Sequence, residues 1–232
     1  MKSHPPFHGS RDRLRRGFTL TDLLVLVACV TVLGALVLAQ MTRARTKARL
    51  YTCTNNLGQV SRAILAYAND NHGLPARAAA DNHDIWWWYK ELIIPYAGQH
   101  GKPSDLDALF ACPMDRGYSD PKPFHQSARF DFSSYVFNGV TLPGMPNISG
   151  LPLSDVNHPS RTLLVMEWTA HAPLSWHDSR TGRKNAPFYS DAKSVVGFVD
   201  GHVSLIPIYF DGYNAAYTQD PINGYEYQYS AN

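Results

Sequence analysis

Glu167, His171, His177, Asp178, Asp200 and His202 are the residues of this 232-residue chain best suited to metal ligation or proton transfer. Imidazole and carboxylate are ligand types of zinc. Asp200 and Asp211, together with loop carbonyls, form an oxygen set of the kind that holds structural calcium. The spacing, however, is loose. His171 and His177 are separated by a stretch broken by Pro173, so they cannot share a helix face as the two histidines of H-E-x-x-H do. No nucleophile elbow, phosphate loop or dinucleotide fingerprint occurs. Histidines that only hydrogen-bond are the simpler reading. No catalytic residue and no metal are assigned, and an enzyme is not expected.

Asp22 is set in a different chemistry. The 24 residues 18–41, F-T-L-T-D-L-L-V-L-V-A-C-V-T-V-L-G-A-L-V-L-A-Q-M, carry it as their single charge. As a helix, that length crosses a hydrocarbon core roughly 30 Å thick. A carboxylate there costs about 2.5–3.5 kcal/mol and is usually kept for a partner. Upstream lie Arg11-Asp12-Arg13-Leu14-Arg15-Arg16 and then Gly17, a small residue that a peptidase pocket accepts beside the bulky Phe18. A cut after Gly17 frees an α-ammonium close in sequence to Asp22.

Gly17-Phe18-Thr19-Leu20-Thr21-Asp22-Leu23-Leu24-Val25 resembles the prepilin signature of type IV pilins and type II secretion pseudopilins. The resemblance implies cleavage after Gly17 by an inner-membrane prepilin peptidase and N-methylation of Phe18. It also implies that Asp22 pairs with the N-terminus of a neighbouring pilin or pseudopilin subunit during assembly. The family usually has Glu at that place, and Asp is shorter by one methylene. Two other readings share these features, a signal anchor and a removed secretory signal peptide with a site at Val37-Leu38-Ala39. The apolar run of about 22 residues exceeds the usual 7–15 of a signal peptide. Positive charge flanks the span on both sides, with Arg43, Arg45, Lys47 and Arg49 following it. The orientation, leader in the cytoplasm and head in the periplasm or at the cell surface, is therefore implied by the resemblance alone.

A second resemblance covers more of the chain. Cys53 with Asn56-Leu57, Tyr67-Ala68-Asn69-Asp70, Cys112-Pro113 and Gly197-Phe198-Val199-Asp200-Gly201-His202-Val203 are similar to a pilin-like group of the planctomycete and verrucomicrobial kind. Many of its members have His ten residues before the Asp of Asp-Gly. Here that position is Ser190, so no role of that His transfers.

The elements that must position these residues are read from periodicity. Residues 1–17, with Pro5, Pro6 and Gly9, read as a leader. Beyond the span (18–41), Leu50, Cys53, Leu57, Val60, Ile64 and Tyr67 recur at steps of three or four, which predicts an amphipathic spine helix over 42–70. One helix over 19–70 is about 75–80 Å long. Gly34 and Gly58 each weaken it by about 1 kcal/mol relative to Ala and are candidate flex points. Asn69-Asp70-Asn71-His72-Gly73-Leu74-Pro75 is a stop.

The remaining residues, 71–232, form a head. Asp84 to Pro95 predicts a short helix, in which Trp86, Trp87 and Trp88 cannot share one face. Packing or a subunit contact is the simpler use of these rings, and a glycan platform the alternative. Residues 102–123 read as a loop, tied down at Cys112-Pro113. Strands are expected at 132–138, 161–168, 194–200 and 203–208, the last two joined by a hairpin at Asp200-Gly201. The fold class is therefore α+β, a long N-terminal transmembrane and spine helix packed on an antiparallel sheet, which is also the pilin-like layout the resemblance implies. The tail carries Tyr209, Tyr213, Tyr217, Tyr225, Tyr227 and Tyr229, serving either recognition or packing over the sheet.

Of the three cysteines, Cys29 lies in the span, while Cys53 and Cys112 lie beyond it. In a chain exported to an oxidising space they are expected to form a disulfide tying the helix to the loop that follows, with two buried thiols as the alternative. The leader holds five basic residues and one acidic residue, so its removal leaves 16 basic and 18 acidic. That balance lacks the basic excess of phosphate-backbone binding, and no nucleic-acid partner is expected.

The functional expectation is a pilin-like structural subunit of a type IV pilus or a type II secretion pseudopilus. Two rivals differ from it in class. One is a membrane-tethered binding module for polysaccharide or protein that forms no filament. The other is a tethered hydrolase built on the His and Asp cluster.

Overall fold

The computed structural model describes residues 18–78, 84–118, 122–171, 175–177, 192–209 and 220–232. The chain divides into two compact units, Met1–Arg45 and Thr46–Asn232. Helix α1 (Leu20–Asp70, 51 residues) contributes to both. Within the first unit its leucines and valines are exposed, among them Leu24, Val27, Val30, Leu33 and Leu36. It is the one described helix long and apolar enough to cross a membrane.

In the second unit α1 becomes amphipathic and buries Cys53, Leu57, Val60, Ser61, Ile64 and Ala68. This is the stripe the spacing predicts, with Leu50 and Tyr67 half-buried at its edges. The helix stops through a left-handed residue at its C-terminus, but that residue is His72 (φ 56°), not the glycine beside it. The Gly73 N–H reaches back to the Ala68 carbonyl at 3.0 Å, as in a Schellman cap. Gly73 is needed for space instead, since a Cβ there would lie 3.1 Å from the Gly150 carbonyl oxygen.

Four antiparallel strands form one sheet in sequence order: β1 (Tyr135–Phe137), β2 (Leu163–Glu167), β3 (Lys193–Phe198) and β4 (Val203–Pro207). Each matches an expected segment and is shorter than it. β3 and β4 form the expected hairpin, pairing Gly197 with Val203 across Asp200-Gly201. Gly201 sits at φ 92°, a conformation that suits glycine. β1 and β2 are buried along their whole length, which is why they show no polar–apolar alternation.

Successive side chains alternate between the two faces of a strand. One face of the sheet meets α1. A Cβ at Gly197 would collide with the Ser61 hydroxyl, and a Cβ at Gly58 would touch Val203 at 3.6 Å. The Tyr135 hydroxyl donates to the Cys53 carbonyl at 3.3 Å. Val165 and Glu167 share this face with Tyr135, the residue paired with Glu167.

The expected helix after Asp84 is shorter than the sequence suggests. Only Tyr89–Ile93 is α-helical (α2). The three tryptophans lie in turns before it, held by the Asp84 carboxylate accepting from the Trp86 N–H at 3.1 Å. Turn geometry lets Trp87 and Trp88 both be buried. Trp87 packs against Phe124 and Phe130, with centroids 5.6 and 4.7 Å away, and its indole N–H donates to the Ser133 carbonyl.

Lys90 on α2 is fully buried. Its ammonium donates to the carbonyls of Asp131 and Phe132 at 2.7 and 3.2 Å and pairs with Asp107 at 2.7 Å. Asp131 and Phe132 are both left-handed, at φ 45° and 51°, which turns their carbonyls onto the lysine. Such strain costs roughly 1–3 kcal/mol per residue and persists only where surroundings enforce it. Burial pushes the Lys90 ammonium down from its ordinary range, and the Asp107 carboxylate holds it up. The lysine thereby ties the segment leading to Cys112 to the approach of β1.

The described tyrosines of the tail pack inward. Tyr209, Tyr225, Tyr227 and Tyr229 form a ladder of edge-on rings at 5.4, 5.8 and 5.9 Å. The Tyr229 hydroxyl donates to the Ala170 carbonyl, and Gln228 bridges in parallel to Thr162 beside β2. Tyr213 and Tyr217 lie outside the described residues.

Candidate functional site

Two groups of residues carry chemistry, one in each unit. At the start of α1, Thr19 and Asp22 cap the helix reciprocally. The Thr19 N–H and hydroxyl donate to Asp22 Oδ2 at 2.9 and 2.7 Å, and the Asp22 N–H donates to Thr19 Oγ1 at 3.2 Å. This is a capping box with Asp in place of Glu. The shorter side chain spans the single turn, and its negative charge suits the positive end of the helix dipole. Asp22 Oδ1 takes no hydrogen bond among the described residues, so the carboxylate keeps one oxygen for another donor. Phe18, the residue next to Thr19, is exposed, and Gly17 lies outside the described residues.

The second group lies between α1 and the end of β2. Cys53 and Cys112 form a disulfide, with Cα atoms 4.7 Å apart and a sequence separation of 59. Three contacts fix Cys112. Its N–H donates to Ser134 Oγ at 2.9 Å, and the Asn56 amide donates to the carbonyls of Ala108 and Ala111 at 3.0 and 2.9 Å. The Tyr135 hydroxyl, at the Cys53 carbonyl, has its pKa raised by burial first and by the Glu167 charge second.

Against this disulfide stand Glu167 and His177. Glu167 is fully buried at the last position of β2, where its Oε2 accepts from the Val195 N–H of β3 at 2.9 Å. Its Oε1 lies 2.6 Å from His177 Nε2. That ring nitrogen is 3.8 Å from Cys112 Sγ, and His177 Nδ1 is 3.2 Å from the Met114 sulfur. The Ser175 hydroxyl accepts from the His177 N–H at 3.0 Å and sets the local turn. A cavity of about 220 Å³, lined by Thr46, Lys47, Leu50, Met114, His177 and Leu205, opens onto the imidazole.

The structure thus divides the histidine and carboxylate set read from sequence. Glu167 and His177 meet. His171 is elsewhere, buried between Trp86 and Tyr229 at ring distances of 4.6 and 5.8 Å, and burial pushes its imidazole down to about 3. Asp200 and His202 are a local pair in the β3–β4 turn, 2.6 Å apart and half exposed, with the imidazole stacked on Phe198. Asp178, Ser190 and Asp211 lie outside the described residues, so the calcium set around Asp200 and Asp211 is not described as a whole.

Sequence reasoning missed two features. The Thr-x-x-Asp box was signalled by a hydroxyl three residues before an acid at the head of an apolar run. The meeting of the two cysteines with Glu167 and His177 had no local signal, because the four are spread over residues 53–177.

No protein-family model matches the chain, and none of the curated proteins or solved structures compared with it is significantly similar. The functional reading accordingly rests on the residues themselves.

Proposed function

We propose that this chain is a pilin-like structural subunit. It is made as a prepilin, cut after Gly17 by prepilin peptidase, and held in the inner membrane by the first part of α1 with the second unit outside. It then assembles into a type IV pilus or a type II secretion pseudopilus. The observation that carries the reading is α1 itself: one helix whose N-terminal part exposes leucine and valine all round and whose C-terminal part builds the core under an antiparallel sheet. Apolar side chains of that density need lipid tails or neighbouring helices around them, at roughly 25 cal/mol for each Å² removed from water.

In this reading Asp22 serves twice. Oδ2 caps its own helix, and Oδ1 receives the Phe18 ammonium of the neighbouring subunit, so that assembly satisfies a charge the bilayer leaves costly. The disulfide holds the head on the spine, and the Lys90 cluster ties the segment leading to Cys112 to the approach of β1. Mass spectrometry of the mature N-terminus tests the proposal. N-methyl-Phe18 as the first residue is expected, whereas a chain that starts at Gln40 or retains Met1 defeats it.

A further inference from the structure

We infer that Cys53, Cys112, Glu167 and His177 are the four ligands of a transition-metal site of the zinc class, formed when the disulfide is reduced. The site is separate from the filament reading and holds whether or not the chain assembles. The ligand atoms of all four residues lie within 4.8 Å of one another. Zinc bonds of about 2.3 Å to sulfur and about 2.0–2.1 Å to nitrogen or oxygen place tetrahedral neighbours roughly 3.3–3.8 Å apart. Cys112 Sγ and His177 Nε2, at 3.8 Å, already have that separation. Two edges must open: the sulfur pair, no longer bonded, and the 2.6 Å contact between Glu167 and His177.

The donor set fits a borderline-soft cation: two thiolates, an imidazole nitrogen and one carboxylate oxygen. The outer contacts are those such a site uses. Glu167 Oε2 is held by the Val195 N–H, which leaves Oε1 for the ion; Met114 lies against the His177 ring at Nδ1, and Ser175 holds the His177 backbone N–H. The cysteines and Glu167 are fully buried and the His177 side chain is 4% exposed, so the ion would be shielded from competing water. The cavity at Met114 and His177 supplies an entry path.

The chemistry balances. A phosphine gives two electrons to the S–S bond and takes the oxygen of one water to become the phosphine oxide, the two protons of that water giving the Cys53 and Cys112 thiols; a dithiol supplies both electrons and both protons itself and becomes a disulfide. The divalent cation then displaces both thiol protons to solvent. Two thiolates and the Glu167 carboxylate around it leave one net negative charge, the same as the carboxylate beside two neutral thiols, so binding adds no net charge to the buried site. His177 binds through Nε2 with its proton on Nδ1, toward Met114. Disulfide and metal are therefore mutually exclusive ways of joining α1 to the segment at Cys112.

The test uses the full chain in detergent, reduced with a phosphine under argon and titrated with Co²⁺ as a spectroscopic probe for Zn²⁺. One equivalent should give the strong visible bands of tetrahedral cobalt and a thiolate charge-transfer band, both abolished by added Zn²⁺, while the oxidised chain gives neither. X-ray absorption of the zinc form should show two sulfur and two nitrogen or oxygen neighbours. Cys53→Ser or Cys112→Ser alone should weaken the charge-transfer band and the two together remove it, His177→Gln and Glu167→Gln should weaken binding more than tenfold, and Cys29→Ser should change nothing. The proposal is overturned if the reduced, unmutated chain shows no such band or the oxidised chain binds equally. It also fails if zinc has only nitrogen and oxygen neighbours, or if Cys29→Ser abolishes the signal.

Discussion

At the scale of single residues, charge and burial set opposite demands. Asp22 is an anion in an apolar run, yet its carboxylate closes a capping box with Thr19. The two roles separate on substitution. Asp22→Ala loses both its half of the capping box and the charge, whereas Asp22→Asn keeps an acceptor oxygen and loses only the charge. If the charge drives assembly, both variants insert and are cleaved but neither forms filaments, as read by shearing and electron microscopy. Filaments from Asp22→Asn would refute the pairing role. His171 makes a second residue-scale prediction. Its imidazole titrates near 3 in the fold against about 6.5 in an unfolded chain, because burial penalises the charged form. The unfolded chain takes up the proton first, so stability from this group is complete above pH 6.5 and is lost as pH falls toward 3. The total is on the order of a few kcal/mol. His171→Phe, which keeps a ring between Trp86 and Tyr229, should flatten the decline of melting temperature over that window.

At the scale of elements, close approach decides what each glycine does. β3 passes α1 so near that a Cβ at Gly197 meets the Ser61 hydroxyl, while one at Gly58 makes ordinary contact with Val203 at 3.6 Å. Gly197→Ala should therefore cost about 1–3 kcal/mol through overpacking. Gly58→Ala should gain up to about 1 kcal/mol from helix propensity. Denaturant midpoints of the two variants, followed by tryptophan fluorescence, should move in opposite directions. Gly58, a candidate flex point by propensity, is in this respect a contact point for β4. The Lys90 cluster shows the same dependence on neighbours. Asp107 feels burial pushing its carboxyl up, but hydrogen bonds from Lys90 and the Ser104 N–H outweigh it and hold the pKa below the ordinary value. Its contribution is present above about pH 3.8 and disappears as pH falls through the lowered value.

At the scale of the whole molecule, the disulfide joins cysteines 59 residues apart, and chain-entropy reasoning gives it about 4 kcal/mol. Reduction should lower the denaturation midpoint accordingly, and zinc should restore part of the loss if the reduced cysteines bind it. The long apolar helix, its amphipathic continuation, four strands in order and the hairpin at Asp200-Gly201 were all legible in the chain, because each is written as a local period or a turn dipeptide. So was the stop after Asp70, although the left-handed residue proved to be His72. The helix after Asp84 was overlong because Asp84 reads as a cap and Pro95 as a stop, while packing of Trp87 on Phe124 and Phe130 required turns. Sequence alone determined the membrane-length helix with one acid at its head and the α+β order of the elements beyond it. Only the tertiary structure decided that Glu167 and His177 meet at the Cys53–Cys112 bond and that His171 does not. Such convergence depends on how strands register and helices cross, which bring together residues too distant in sequence to leave a local pattern.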